Sequence, residues 1–205
     1  MCETHRKRAR RYGDPRLRRC LTKAELTPYL NEVRRVLRRG KREKIETVLV
    51  RLQQRVADVA RDELAERRSS MFPGQSWLLN ALEEIERVVA DVSPVESGVL
   101  IAACFLARSR DPDRWPTDRA FTFDLVRAWR KQTDVASASY WCSTRQRAIK
   151  THRELRPATT TAIAEMLVET YKTFVARITR AADYVQQEPV ETKTLLAEGL
   201  SHIPE

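Results

Sequence analysis

The chain has 205 residues, enough for one sizeable domain, and its 42% hydrophobic and 32% charged residues suit a folded protein with a highly charged surface. Only five glycines appear beside abundant Ala, Leu, Glu and Arg, which excludes an all-β fold with turn residues at close intervals. The formal net charge of +10 is unevenly spread, because residues 1–45 hold 16 Lys+Arg against 5 Asp+Glu. A second basic block, 127–156, holds 8 against 2, and the ground between and after the two blocks is net acidic.

In chain order, residues 1–20 show no hydrophobic periodicity and carry Gly13-Asp14-Pro15, the pattern of a basic, poorly structured N-terminal arm. Thr22 and Glu25 then form a T-x-x-E capping box, and Leu26, Tyr29, Leu30, Val33 and Leu37 follow at helical spacing up to a stop at Gly40. A second helix is predicted over about 43–67, with Ile45, Val48, Leu52, Val56, Val59 and Leu64 inside and Arg51, Arg55 and Arg61 outside. After a loop at 69–75, a third helix over 76–91 buries Leu78, Leu82, Ile85 and Val89. Ser93-Pro94-Val95-Glu96 reads as a second capping box, and the helix it opens is apolar nearly all round, so it should be the central element.

A loop at 109–118 follows, then a helix over about 119–131, capped by Asp118, with Phe121, Leu125, Val126 and Trp129 inside. Further helices are expected over 137–155 and 160–187, the last with Ile163, Leu167, Tyr171, Phe174 and Ile178 in register. Leu195, Leu196 and Leu200 hint at a short terminal helix. The fold expected is all-α, a bundle of roughly seven helices. Its parts are the arm 1–20, a helical core subdomain 21–108, a second helical subdomain 109–187 and a tail 188–205.

The longest apolar run, Val99 to Ala107, is far short of the roughly 20 residues that cross a bilayer. No apolar stretch follows the N-terminal cations, as a secretory signal requires, so the expected location is cytoplasmic. Cys2, Cys20, Cys104 and Cys142 have no short regular spacing and read as reduced thiols, with Cys104 a small core side chain.

Two basic blocks are the electrostatic footprint of a polyanion binder, and nucleic acid, chiefly double-stranded DNA, is the expected partner. Each phosphate neutralised releases counterions, which turns clustered cations into affinity. Arg6, Lys7, Arg8, Arg10, Arg11, Arg16, Arg18 and Arg19 are the candidate phosphate contacts of the first block. An acidic protein partner and a merely solvated tail are the competing readings. The excess of 30 Arg over 8 Lys suits phosphate forks, though a GC-rich genome yields the same bias without the clustering.

In the second block, the expected helix 137–155 follows a short turn, as the recognition helix of a helix-turn-helix does. Arg145, Gln146, Lys150 and Arg153 would then face bases or phosphates; a solvated helix face explains the same residues. Trp115, Trp129, Tyr140 and Trp141 suit either base stacking or the core.

Cys2-x-x-His5, followed by Arg6, Arg8, Arg10, Arg11, Tyr12, Gly13, Asp14 and Pro15, resembles a short segment of many phage and actinobacterial proteins. In those proteins the pair looks like the second half of a small zinc site whose first half is an upstream cysteine pair. Several of them carry HNH nuclease or DNA-binding domains. The resemblance spans about 15 of the 205 residues and implies a possible zinc site and a phage or mobile-element setting. A structural zinc takes four ligands; Cys2 and His5 supply two and Cys20 offers a third, so no metal is expected.

Nuclease chemistry does not carry over, because the other histidines, His152 and His202, stand far apart. No glycine-rich phosphate loop or nucleophile set is present, and Cys142 with His152 is the nearest thing to a catalytic pair. The reading is therefore a non-catalytic DNA-binding protein, regulatory or accessory, without a cofactor. The alternative is a helical structural or interaction protein whose basic arm binds an acidic protein or virion partner.

Overall fold

The apolar stretch in the middle of the sequence forms the helix around which the others pack. In the computed structural model, which describes residues 2–12, 21–69, 76–133, 138–142, 146–151 and 154–187, seven α-helices carry most of the chain. They are α1 (Glu3–Tyr12), α2 (Lys23–Arg39), α3 (Arg42–Ser69), α4 (Ser76–Asp91), α5 (Pro94–Arg110), α6 (Asp118–Arg130) and α7 (Pro157–Gln187). Pro112–Arg114 form one 3-10 turn, and Ala138–Cys142 (β1) and Arg147–Thr151 (β2) form an antiparallel pair. The all-α bundle predicted from the sequence is the architecture, with this hairpin as its one departure among the described residues. None of the described helices alone is long and apolar enough to cross a membrane.

Helix α5 is buried at every position from Ser97 to Cys104 and again at Leu106 and Ala107. It packs on α2, α3, α6 and α7, and the hydrophobic core is one cluster that takes residues from both sides of the 109–118 turn. Small residues let the helices approach. A Cβ built on Gly98 would stand 2.3 Å from Leu49 Cδ2 of α3, so only glycine fits that crossing. Helix α7 lies along the assembly and touches every helix from α2 to α6, burying Ile163, Leu167, Tyr171 and Ile178 as their spacing foretold.

The helix ends are partly as expected. The Thr22 box is complete: Glu25 N donates to Thr22 Oγ1 at 3.3 Å and Thr22 N to Glu25 Oε2 at 2.8 Å. The box expected at Ser93 is not formed. Its side chain makes no cap bond, and Glu96 instead takes Arg34 of α2 at 2.8 Å. Thr117, not Asp118, caps α6, accepting from Ala120 N, while Asp118 pairs with Arg108.

Three expectations are corrected outright. Residues 3–12 of the supposedly unstructured arm form α1, which packs against α6. Helix α3 is rotated from its predicted phase: Leu49, Gln53, Val56, Ala57, Ala60 and Leu64 are buried, and Val48 and Val59 are 44% and 45% exposed. Ala57 and Ala60 permit close packing, and buried Gln53 donates to Val89 O at 3.1 Å and Val92 O at 2.7 Å, satisfying carbonyls left open where α4 ends. The helix predicted over 137–155 is the β1–β2 hairpin, with Tyr140 opposite Ile149 and Trp141 opposite Ala148. The expected terminal helix at 195–200 lies outside the described residues.

Candidate nucleic-acid interface

Helix α1 carries the first part of the basic block. Its early residues read ETHRKRARRY, with Glu3 in the first turn, where a carboxylate complements the helix dipole. Arg6 and His5 are exposed, whereas Arg8 and Ala9 are half-buried. Lys7, Arg10 and Arg11 stand on the same helix, and their side chains lie outside the described residues, as do Arg16, Arg18 and Arg19.

The chain is tied down again just after this segment. Leu21 N donates to Asp124 Oδ2 of α6 at 3.3 Å, and the Trp115 indole donates to the same oxygen at 3.0 Å. One turn on, Arg114 reaches Glu25 Oε1 at 3.2 Å. The Glu25 carboxyl is held down at about 2, chiefly by the hydrogen bonds from the Thr22 hydroxyl and backbone amide, with Arg114 adding to them. Both ends of the basic N-terminal stretch are thus anchored to the α6 side of the bundle. Burial makes the two tryptophans nearest this anchor, Trp115 and Trp129, core residues; Trp129 donates to Ser97 Oγ at 2.6 Å.

Cys2 Sγ and His5 Nδ1 lie 3.0 Å apart on the first turn of α1. They are two of the four ligands that a structural zinc takes, and no group of three or more His, Cys, Asp or Glu is placed to hold a metal among the described residues. Cys20, the third candidate ligand, lies outside the described residues.

The second block loses its expected geometry. Gln146 is exposed in the hairpin turn with φ 47°, Lys150 lies in β2 opposite Ser139, and Arg145 and Arg153 fall outside the described residues. Among the described residues there, β1 and β2 stand in place of the expected recognition helix, so the helix-turn-helix is corrected to a two-stranded ribbon.

Sequence reasoning missed a further set of cations at the corner where α2 meets α3. Arg35, Arg38, Lys41, Lys44, Arg51 and Arg55 are exposed. The +11 block extended to residue 45, but the site residues chosen from it stopped at residue 19. Elsewhere arginines meet acids: Arg61 with Asp58, Arg67 with Glu63, Arg68 with Glu83, Arg110 with Asp183, and Arg87 and Arg130 with Glu84. No protein-family model matches this chain, and neither the curated proteins nor the solved structures gave a match.

Proposed function

We propose that this chain is a non-catalytic nucleic-acid-binding protein, regulatory or accessory, that grips double-stranded DNA by its phosphates. The observation that carries the reading is the charge of residues 1–20, 8 cations against 2 acids, on a segment whose ends are held against α6. Holding the segment lowers the ordering entropy that a free arm would lose on binding. The β1–β2 ribbon, with Gln146, Arg147 and Lys150, adds a second contact, since a two-stranded ribbon enters the major groove as a helix does. The Cys2-to-Pro15 resemblance supports a phage or mobile-element setting, with a cytoplasmic location as part of the same reading.

The test is a salt series on duplex DNA with Arg6, Lys7, Arg8, Arg10 and Arg11 all changed to Ala. Up to five lost phosphate contacts flatten the slope of log K against log salt by as much as about 4. A wild-type protein that binds no duplex at about 50 mM salt rejects the reading. A second reading then takes over, a helical interaction protein with an acidic protein partner. Exposed Val48, Val50 and Val59 on α3, at 44%, 51% and 45%, favour it, since exposed aliphatic side chains suit a protein surface better than phosphates.

A further inference from the structure

We infer that the α2–α3 corner is a second phosphate-binding surface, separate from α1, formed by Arg35 and Arg38 on α2, Lys41 at the bend, and Lys44, Arg51 and Arg55 on α3. The inference rests on the nucleic-acid reading above and adds to it a surface that carries no part of that argument.

All six side chains are exposed, and none has an ion pair among the described residues. Acids on the same stretch do not neutralise them: Glu46 is taken by Arg42 at 2.7 Å, and Asp58 by Gln54 at 2.8 Å and Arg61 at 3.0 Å, leaving Glu43 as the one nearby carboxylate without a described partner. Local stability accounts for part of the set only. Arg38, in the last turn of α2, complements the negative end of its helix dipole. Lys41 and Lys44 stand at the opening of α3, the end at which the dipole disfavours a cation. Clustered like charge also works against the compact state. Lys41 and Lys44, kept against both preferences with Glu43 the one carboxylate beside them, are cations that a polyanion would satisfy.

The geometry is fixed before any ligand arrives. Gly40 turns the chain in extended conformation, φ −88° and ψ 171°, and its N–H returns to Leu37 O at 3.1 Å. Ile45 Cδ1 fills the space beside it, 2.6 Å from where a Cβ would stand, so the two helix ends are packed against each other at the bend. On α3, Lys44, Arg51 and Arg55 recur at intervals of seven and four residues, one stripe about 16 Å long. Helices α2 and α3 both pack on α5, and these residues belong to their outer sides.

The experiment uses the full chain and a fluorescent duplex of random sequence of about 30 base pairs, titrated by anisotropy over about 50–300 mM salt. Arg35, Arg38, Lys44, Arg51 and Arg55 are changed together to Ala in one variant, and the four arginines to Lys in a second. The Ala variant is expected to melt like wild type and to bind at least ten-fold more weakly at about 100 mM salt, with its salt slope reduced by about 3 or more. The Lys variant is expected to keep the wild-type slope, because the charge is retained. An Ala variant that binds with wild-type affinity and slope, while the α1 variant loses both, overturns the corner and leaves the proposed function standing. Absence of binding by the wild-type protein overturns the two together.

Discussion

Arg130 of α6 donates to the carboxylate of Glu84 in α4 where the two side chains are 8% and 10% exposed, and Arg87 takes the other carboxylate oxygen. The pair fastens α6 to α4 inside the bundle. Removing Glu84 takes its carboxylate from an Arg130 side chain that is only 8% exposed. Glu84→Ala is therefore expected to cost about 3–5 kcal/mol in urea unfolding, whereas Glu84→Leu with Arg130→Met costs far less, since both charges go together. A single-variant loss below about 1 kcal/mol would mean that Arg130 finds solvent after all.

The contact between Gly98 and Leu49 allows a second test. Ala at position 98 places a methyl group against a Leu side chain that is 0% exposed and has nowhere to move. Overpacking of this kind costs about 1–3 kcal/mol, against about 1 kcal/mol gained in helix propensity. Gly98→Ala is expected to lower the melting temperature, and Leu49→Ala to lower it further on its own. Combined, the two lose less than their sum, and strict additivity in the double-mutant cycle would deny the contact.

Acid stability should report on the α2 cap. The Glu25 carboxyl sits at about 2 in the folded protein against an ordinary 4.5. A depressed carboxyl stabilises the folded state above its ordinary value, and that contribution is lost as pH falls from about 4.5 to about 2. The melting-temperature gap between wild type and Glu25→Gln should be open at pH 6 and close toward pH 2. A gap that stays constant across that range would leave the Thr22–Glu25 hydrogen bonds without energetic weight.

Thiol reactivity separates Cys2 from Cys104. Burial, with the charge of Asp124 adding to it, pushes the Cys104 thiol up to about 12, whereas Cys2 is exposed. Alkylation at pH 8 followed by peptide mapping should label Cys2 in the native protein and Cys104 only after unfolding. The raised value also means that Cys104 favours the folded state at neutral pH and ceases to do so as pH rises from its ordinary range toward about 12. Native labelling of Cys104 as fast as that of Cys2 would contradict its place in the core.

Much of the bundle was legible because strong periodicity and end signals agreed. Helix α4 spans the predicted 76–91, and the Thr22 box starts α2 as its spacing implied. The hairpin was illegible for a specific reason. Trp141 and Ala148 fall on one face of an imagined helix, and the same two residues are cross-strand partners in the antiparallel pair. The spacing of seven between Trp141 and Ala148 satisfies both geometries, and the turn lacks the glycine that would have decided between them. The phase of α3 failed through Gln53, since a polar side chain at a buried position is excluded by any apolar template, and only the carbonyls at the end of α4 explain it. The corner cations were visible as charge but not as a surface, because the bend at Gly40 and the pairing of acids elsewhere are tertiary facts.

Helix α7, 31 residues and about 46 Å long, supplies Ile163, Leu167, Tyr171, Val175, Ile178 and Ala182 to the common core. It is also the last described helix in the order of synthesis. As a chain grows on the ribosome, α2 to α6 emerge first with a long apolar trough and no partner to close it. A nascent chain arrested before Thr160 therefore offers chaperones and proteases the very surface that the finished protein hides. The described core is therefore complete only once the 31 residues of α7 have been made.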